Sequence, residues 1–136
     1  MKTSTNAPLS KDALALAGLF LTSGTMHLLR PEPFESIVPK RLPSRRALVY
    51  ASGAAEIICA VGLFVPRTRR VAGLASAALL LAVFPANVTM TGQAKRRFDR
   101  DPHDTAKQGY LAATVARLPL QWPMVRAALR VGGVMP

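Results

Sequence analysis

Five side chains with the chemistry to bind or ionise lie inside strongly apolar stretches of this 136-residue chain: His27, Glu56, Asn87, Arg117 and Gln121. A carboxylate or guanidinium near the centre of a bilayer costs roughly 2.5 to 3.5 kcal/mol on insertion scales, so Glu56 should be protonated or paired. Arg117 is the only cation that falls inside an apolar stretch on the same side. The expectation is that Glu56 and Arg117 approach within salt-bridge distance, with His27, Asn87 or Gln121 taking the remaining hydrogen-bonding positions. Such a pair serves either as a structural clamp or as a ligand or proton site. Asn87 and Gln121 have the ordinary reading of interhelical glue, and His27 that of a hydrogen-bonded packing residue.

Helical spacing groups these residues. Ser52, Gly53, Glu56, Cys59, Ala60 and Leu63 recur at i, i+3, i+4 and form one stripe of small and polar residues suited to close interhelical contact. Ser23, Gly24 and His27 form a second stripe, and Thr114, Arg117 and Gln121 a third. Tyr50 and Ser52 precede Glu56 as secondary pocket candidates. Trp122 is either an interfacial anchor or a wall of the same pocket. Pro85 cannot donate to the carbonyl of Leu81, so that oxygen needs another partner about one turn from Asn87.

The elements that must position these residues follow from the charge-poor runs. Ala13 to Leu29 is 17 residues without Asp, Glu, Lys or Arg, Ala47 to Val65 is 19 interrupted only by Glu56, and Val71 to Ala94 carries no charge. At 1.5 Å per residue, such helices reach about 25 to 30 Å, the thickness of a hydrocarbon core. Tyr110 to Leu129 has the right length for a fourth span despite Arg117, Arg126, Pro119 and Pro123. The resulting expectation is a single all-α membrane domain over residues 1–136, an antiparallel four-helix transmembrane bundle with spans at about 11–29, 45–65, 69–90 and 110–130. A short interfacial helix between the first two is expected within Pro33 to Pro39, carrying Phe34, Ile37 and Val38. Ser10, Ser44 and Thr68 are the expected caps, and the polar stretch from Gln93 to Gly109 the expected third linker. In that topology the polar residues all fall in one half of the membrane and form a shared pocket, and the other half is an apolar anchor. The first stretch is expected to be kept as a span, since Ser23-Gly24-Thr25 matches a signal-peptidase site poorly.

Composition narrows the classes. Half of the residues are hydrophobic and 18% are charged, too apolar for a disordered basic tail. A lone cysteine, Cys59, excludes an internal disulfide and Cys-rich metal sites, and reads as a packing residue. No metal site is expected: the residues from Asp99 to Asp104 read as solvated linker, and a haem held by two histidines is disfavoured because the other one, His103, lies in that linker. The net charge of +11 raises nucleic-acid binding, but the basic residues flank the spans and show no basic-aromatic groove, so no nucleic-acid partner is expected. The linkers after spans one and three carry Arg30, Lys40, Arg41, Arg45, Arg46, Lys95, Arg96, Arg97, Arg100 and Lys107. The opposite side carries Lys2, Lys11, Arg67, Arg69, Arg70, Arg126 and Arg130. That balance favours cytoplasmic linkers and termini outside.

Several ordered strings carry a family resemblance. His27, Pro33-Phe34-Glu35-Ser36-Ile37-Val38-Pro39, Ser52-Gly53-Ala54-Ala55-Glu56, Pro66-Arg67-Thr68-Arg69, Phe84-Pro85-Ala86-Asn87 and Arg117-Leu118-Pro119-Leu120-Gln121 resemble the DoxX-like small membrane proteins over nearly the whole chain. The resemblance implies a multi-pass, four-helix protein of the bacterial inner membrane, in a family linked to thiosulfate:quinone oxidoreductase and to redox defence. It supplies no catalytic residue. The leading expectation is therefore an accessory or quinone-binding subunit of a membrane redox system, at most part of an oxidoreductase. Its partners would be the lipid bilayer, a redox protein and further copies of the chain, its cofactor a quinone, and its lid Phe34, Ile37 and Val38. The alternatives are a scaffold or assembly protein without chemistry and a small proton-coupled transporter titrating Glu56 and His27.

Overall fold

The computed structural model describes residues 8–136, all of whose regular structure is helical. In chain order the elements are α1 (Lys11–Leu29), α2 (Glu32–Glu35), α3 (Arg45–Phe64), α4 (Arg69–Arg100) and α5 (Thr105–Val131). Lys2, counted above with the basic residues near the termini, lies outside the described residues.

Local chemistry accounts for most boundaries. The Ser10 hydroxyl accepts from the Ala13 N–H at 3.1 Å and starts α1, with Asp12 in its first turn. Ser44 and Thr68 do not cap as expected. Ser44 sits in the left-handed region at φ 51° without a side-chain cap. The Thr68 hydroxyl instead donates back to the carbonyls of Gly62 and Val65, tying the short link between α3 and α4.

Two boundaries correct the sequence reading. The interfacial helix is only the four residues of α2, after which Ser36 bonds back to the Pro33 carbonyl and the chain turns toward Pro39. The span expected at 69–90 is a 32-residue helix reaching Arg100, and α5 begins at Thr105 rather than near 110. The polar third linker shrinks to residues 101–104. Ala, Lys, Arg and Gln propagate a helix well without being apolar, so a hydropathy boundary marks where lipid would end and not where the helix ends. At about 1.5 Å per residue α4 is about 48 Å long, well beyond a hydrocarbon core.

Asp104 accounts for the early start of α5, accepting from the N–H groups of Ala106 at 2.9 Å and Lys107 at 3.3 Å. The backbone hydrogen bond from Lys107 is the chief reason its carboxyl is held below the ordinary aspartate value of 3.8, with the Ala106 N–H and the Lys107 ammonium adding to it. A depressed value in the folded state means the cap's contribution is present above the ordinary value and disappears as pH falls through the lowered one. Asp104→Ala should therefore speed amide exchange at Ala106 and Lys107 at neutral pH. The difference from the wild-type chain should vanish as acid protonates Asp104, and a difference that persists there would refute the cap.

Each of the four long helices has two main neighbours: α1 meets α3 and α5, and α4 meets α3 and α5. Glycines set the closest crossings. A Cβ on Gly24 of α1 would lie 2.8 Å from the Gly53 carbonyl of α3, and a Cβ on Gly73 of α4 would lie 2.6 Å from the Gly132 nitrogen just past α5. Near Arg130, which pairs with Asp12 at 3.0 Å, an apolar core forms from Leu16, Phe20, Leu63, Ala72, Val125, Ala128 and their neighbours, and it also takes in Cys59. The outer surface is apolar as well. Ile58, Val71, Leu81 and Trp122 are all more than half exposed. Apolar exposure on this scale suits a lipid solvent rather than water. Three helices, α1, α3 and α4, are long and apolar enough to cross a membrane, and α5, with Arg117, Arg126 and Arg130, is not among them.

Candidate functional site

The end of α1, the linker after it, the first half of α3, the middle of α4 and the first half of α5 enclose a cavity of about 450 Å³. Ser23 and His27 come from α1, and Phe34, Ile37, Val38, Pro39 and Leu42 from the linker. Val49, Ser52, Ala55 and Glu56 come from α3, Leu79, Val83, Pro85 and Asn87 from α4, and Arg117 from α5. A smaller space of about 40 Å³ shares Ser23, Glu56, Val83, Asn87 and Arg117 and adds Phe20, Leu80, Gln121 and Met124.

The α1–α3 contact sets the geometry of the polar end. With no Cβ on Gly24 or Gly53 the two backbones come close enough to seat His27 beside Glu56, Nδ1 to Oε2 3.7 Å. His27 Nδ1 also lies 2.6 Å from the Ser23 carbonyl oxygen. A carbonyl can only accept, so Nδ1 carries the proton and, in the neutral ring, Nε2 keeps the lone pair. The imidazole stacks on Phe34 of the linker, with centroids 3.9 Å apart and planes 20° from parallel. Glu56 is buried, and its Oε2 has no hydrogen-bond partner; the Ser52 hydroxyl, one turn earlier on the same face, is likewise unpartnered.

The expected Glu56–Arg117 ion pair does not form. Arg117 lines both spaces but lies beyond ion-pair distance of Glu56, whose nearest charged or chargeable partner is His27. The reason is topological: α5 packs mainly on α4 and α1, so Arg117 reaches the cavity from across it.

Asn87 and Gln121 do meet, as a directed chain. Gln121 Nε2 donates to the Leu80 carbonyl, and Asn87 Nδ2 donates to Gln121 Oε1 at 2.7 Å. The terminal acceptor is again a carbonyl, which fixes the orientation of both amides. The carbonyl engaged is that of Leu80 rather than the expected Leu81.

Two secondary candidates point away. Tyr50 is 39% and Trp122 59% exposed, and neither lines either of these two cavities. His103 is exposed, and among the described residues no three of His, Cys, Asp or Glu gather as a metal site would require.

Sequence reasoning did not find the ties that hold the linker over the cavity. Arg46 pairs with Glu35 at 2.5 Å, and Gln93 Nε2 donates to the Ser36 carbonyl at 2.5 Å. In sequence, Glu35 and Arg46 show only as opposite charges flanking the linker, and Gln93 carries no signal because its polarity places it in the expected third linker. The apolar cavity walls Val49, Leu79 and Val83 are indistinguishable in sequence from lipid-facing residues.

Fold and site together define an all-helical protein in which three helices can cross a membrane and a largely apolar cavity ends in a small polar cluster. Residues 16–132 match a family described as a domain of unknown function (DUF8561), and the chain belongs to that family. No curated protein and no solved structure matches it.

Proposed function

We propose that this chain is a multi-pass protein of the bacterial inner membrane, an antiparallel four-helix bundle of α1, α3, α4 and α5. In this reading it binds the head group of a quinone in its cavity as an accessory subunit of a membrane redox system. The bundle reading is supported by the short connections on either side of α4, which favour antiparallel neighbours, and by Arg130 of α5 meeting Asp12 of α1. The resemblance to DoxX-like proteins supports the redox context, a redox partner protein and the bacterial location.

One observation carries the ligand reading: a cavity of about 450 Å³, mostly apolar, is lined by Ser52 and Glu56, each of which has a buried oxygen without a partner, Oγ and Oε2. Ligand sites have this size and this mix of apolar wall and few polar groups, and buried polar atoms are otherwise nearly always hydrogen-bonded. The clamp of Asn87, Gln121 and the Leu80 carbonyl favours a second, structural reading for that part of the cluster, as expected of a scaffold.

The test is native mass spectrometry of the detergent-purified protein from quinone-containing membranes. A bound quinone is expected, and Arg117→Leu, which removes from the cavity wall the guanidinium able to donate to a ring carbonyl, should weaken its binding by about tenfold, the worth of a single hydrogen bond to a charged group. Protein that carries no lipid-soluble cofactor and takes up none from added quinone would overturn the reading. Proton-coupled flux in vesicles, abolished by Glu56→Gln, would point to a transporter instead.

A further inference from the structure

We infer, on the membrane reading of α1, α3 and α4 and whatever the cavity holds, that the side of the bundle where the linker is tied to α4 binds the head group of an anionic phospholipid.

Two basic groups far apart in the sequence are brought to that side. On α4, Gln93, Arg96, Arg97 and Arg100 share a face spanning about 100° of the helix circumference. The opposite side of α4 turns inward, with Ala94 buried and Thr91 donating to the Thr114 carbonyl of α5. Gln93 donates to the Ser36 carbonyl, which draws the linker onto the arginine face. Shortly after Ser36, Lys40 and Arg41 sit in the turn between Pro39 and Leu42, both of which line the cavity. Arg45 opens α3 on the face of Val49 and Ser52, which line it as well.

These cations lack carboxylate partners. Among the described residues, Lys40, Arg41, Arg45, Arg96, Arg97 and Arg100 form no ion pair. The acids nearby are already engaged, Glu35 by Arg46, Asp99 by Lys95, and Asp101 and Asp104 by Lys107, which leaves only Glu32 unpaired at this end. The other end of the bundle ties its arginines down. There Arg130 pairs with Asp12, and Arg69 and Arg70 donate to the carbonyls of Leu63 and Gly132.

Depth selects the partner. The charge-free run of α4 ends at Ala94, so its arginines begin where hydrocarbon gives way to phosphate, and the exposed Leu42 and Leu48 adjoin the cations of the linker and of α3. A surface that is cationic beside apolar fits a phospholipid, phosphate to guanidinium and acyl chain to leucine. A free phosphate or an acidic polypeptide would use only the charge. A zwitterionic head group carries its own cation, which the unpaired positive charges repel, so a net negative lipid is favoured.

The full chain, purified in detergent and stripped of lipid, is titrated with dioleoyl phosphatidylglycerol, dioleoyl phosphatidylcholine, glycerol phosphate and a short glutamate peptide, and bound molecules are counted by native mass spectrometry. Phosphatidylglycerol is expected to bind at least about tenfold tighter than phosphatidylcholine, since each basic residue near an anionic lipid adds to the attraction. Replacing three charges together, Arg96→Gln, Arg97→Gln and Arg100→Gln, should bring the two lipids within about threefold. Gln93→Ala removes no charge but unties the linker from α4, and should cut the preference at least about threefold, the worth of one hydrogen bond. Lys11→Gln with Arg67→Gln, at the other end of the bundle, should leave it unchanged. Equal affinity for the two lipids, or a preference that survives the triple variant, overturns the site. So does a preference insensitive to Gln93→Ala, which would come from diffuse charge. Displacement of phosphatidylglycerol by equimolar glycerol phosphate, or binding of the glutamate peptide without any lipid preference, also overturns the lipid assignment, in favour of a free phosphate or an acidic protein. Release of the chain from membranes by alkaline carbonate would overturn the membrane reading itself.

Discussion

Gly53→Ala is expected to lower the stability of the protein by about 1 to 2 kcal/mol, whereas Gly18→Ala should leave it unchanged or raise it slightly. Both glycines lie within helices, so alanine gains helix propensity of about 1 kcal/mol at each. Their surroundings differ. A Cβ on Gly18 meets nothing within 4 Å, while one on Gly53 would lie 2.7 Å from the Cβ of His27 and 3.0 Å from the Gly24 carbonyl oxygen. Neither of those atoms swings aside, since a Cβ and a carbonyl move only with their backbone. Overpacking of this kind costs about 1 to 3 kcal/mol and more where backbone must shift, so the steric term outweighs the propensity gain. The displacement of α1 would also separate His27 from Glu56, now 3.7 Å apart, and ligand occupancy should fall with stability. Thermal unfolding of both variants followed by circular dichroism in the same detergent checks this. Equal melting temperatures for Gly53→Ala and Gly18→Ala would refute the close crossing.

The second large effect is expected at Gln121. Gln121→Leu keeps the side chain's approximate volume but removes both hydrogen bonds of the Asn87–Gln121–Leu80 chain. The Leu80 carbonyl is a backbone acceptor inside α4, so the heavier loss falls on the Asn87 amide, which is left buried without its acceptor. Interhelical hydrogen bonds in membranes average about 0.6 kcal/mol with a maximum near 1.7, and orphaning a buried group in soluble proteins costs about 1 to 3. A loss of about 1 to 2 kcal/mol is expected. Asn87→Leu in the same chain should recover part of it, because removing both partners leaves no orphan. A double-mutant cycle in denaturant or by steric trapping measures the coupling, and strictly additive losses would show that the two amides do not act together.

Both predictions concern contacts between helices that are remote in the chain, and that is where sequence reasoning reached its limit. The stripes Ser23-Gly24-His27 and Ser52-Gly53-Glu56 correctly marked the facing sides of α1 and α3, since helical periodicity exposes which residues share a face. His27, Glu56, Asn87 and Arg117 do share one cavity, and Gln121 lies beside it. Phe34, Ile37 and Val38 line it, from a turn-rich linker rather than from one amphipathic helix. Charge alone favours Arg117 as the partner of Glu56, whereas the close α1–α3 crossing gives it His27.

Read alone, the chain determined its helical class, its apolar spans and the identity of the polar residues with no natural place in lipid, because hydropathy and the 3.6-residue period are local properties. Only the tertiary structure decided that Glu56 faces His27 and not Arg117, that α4 and α5 run on past the apolar boundary to a four-residue turn, and that the amides of Asn87 and Gln121 form a one-way chain to Leu80. The pairings depend on how closely helix axes approach, which at the α1–α3 crossing the missing Cβ atoms of Gly24 and Gly53 permit, and the extent of α4 and α5 on polar residues that propagate a helix beyond the apolar run.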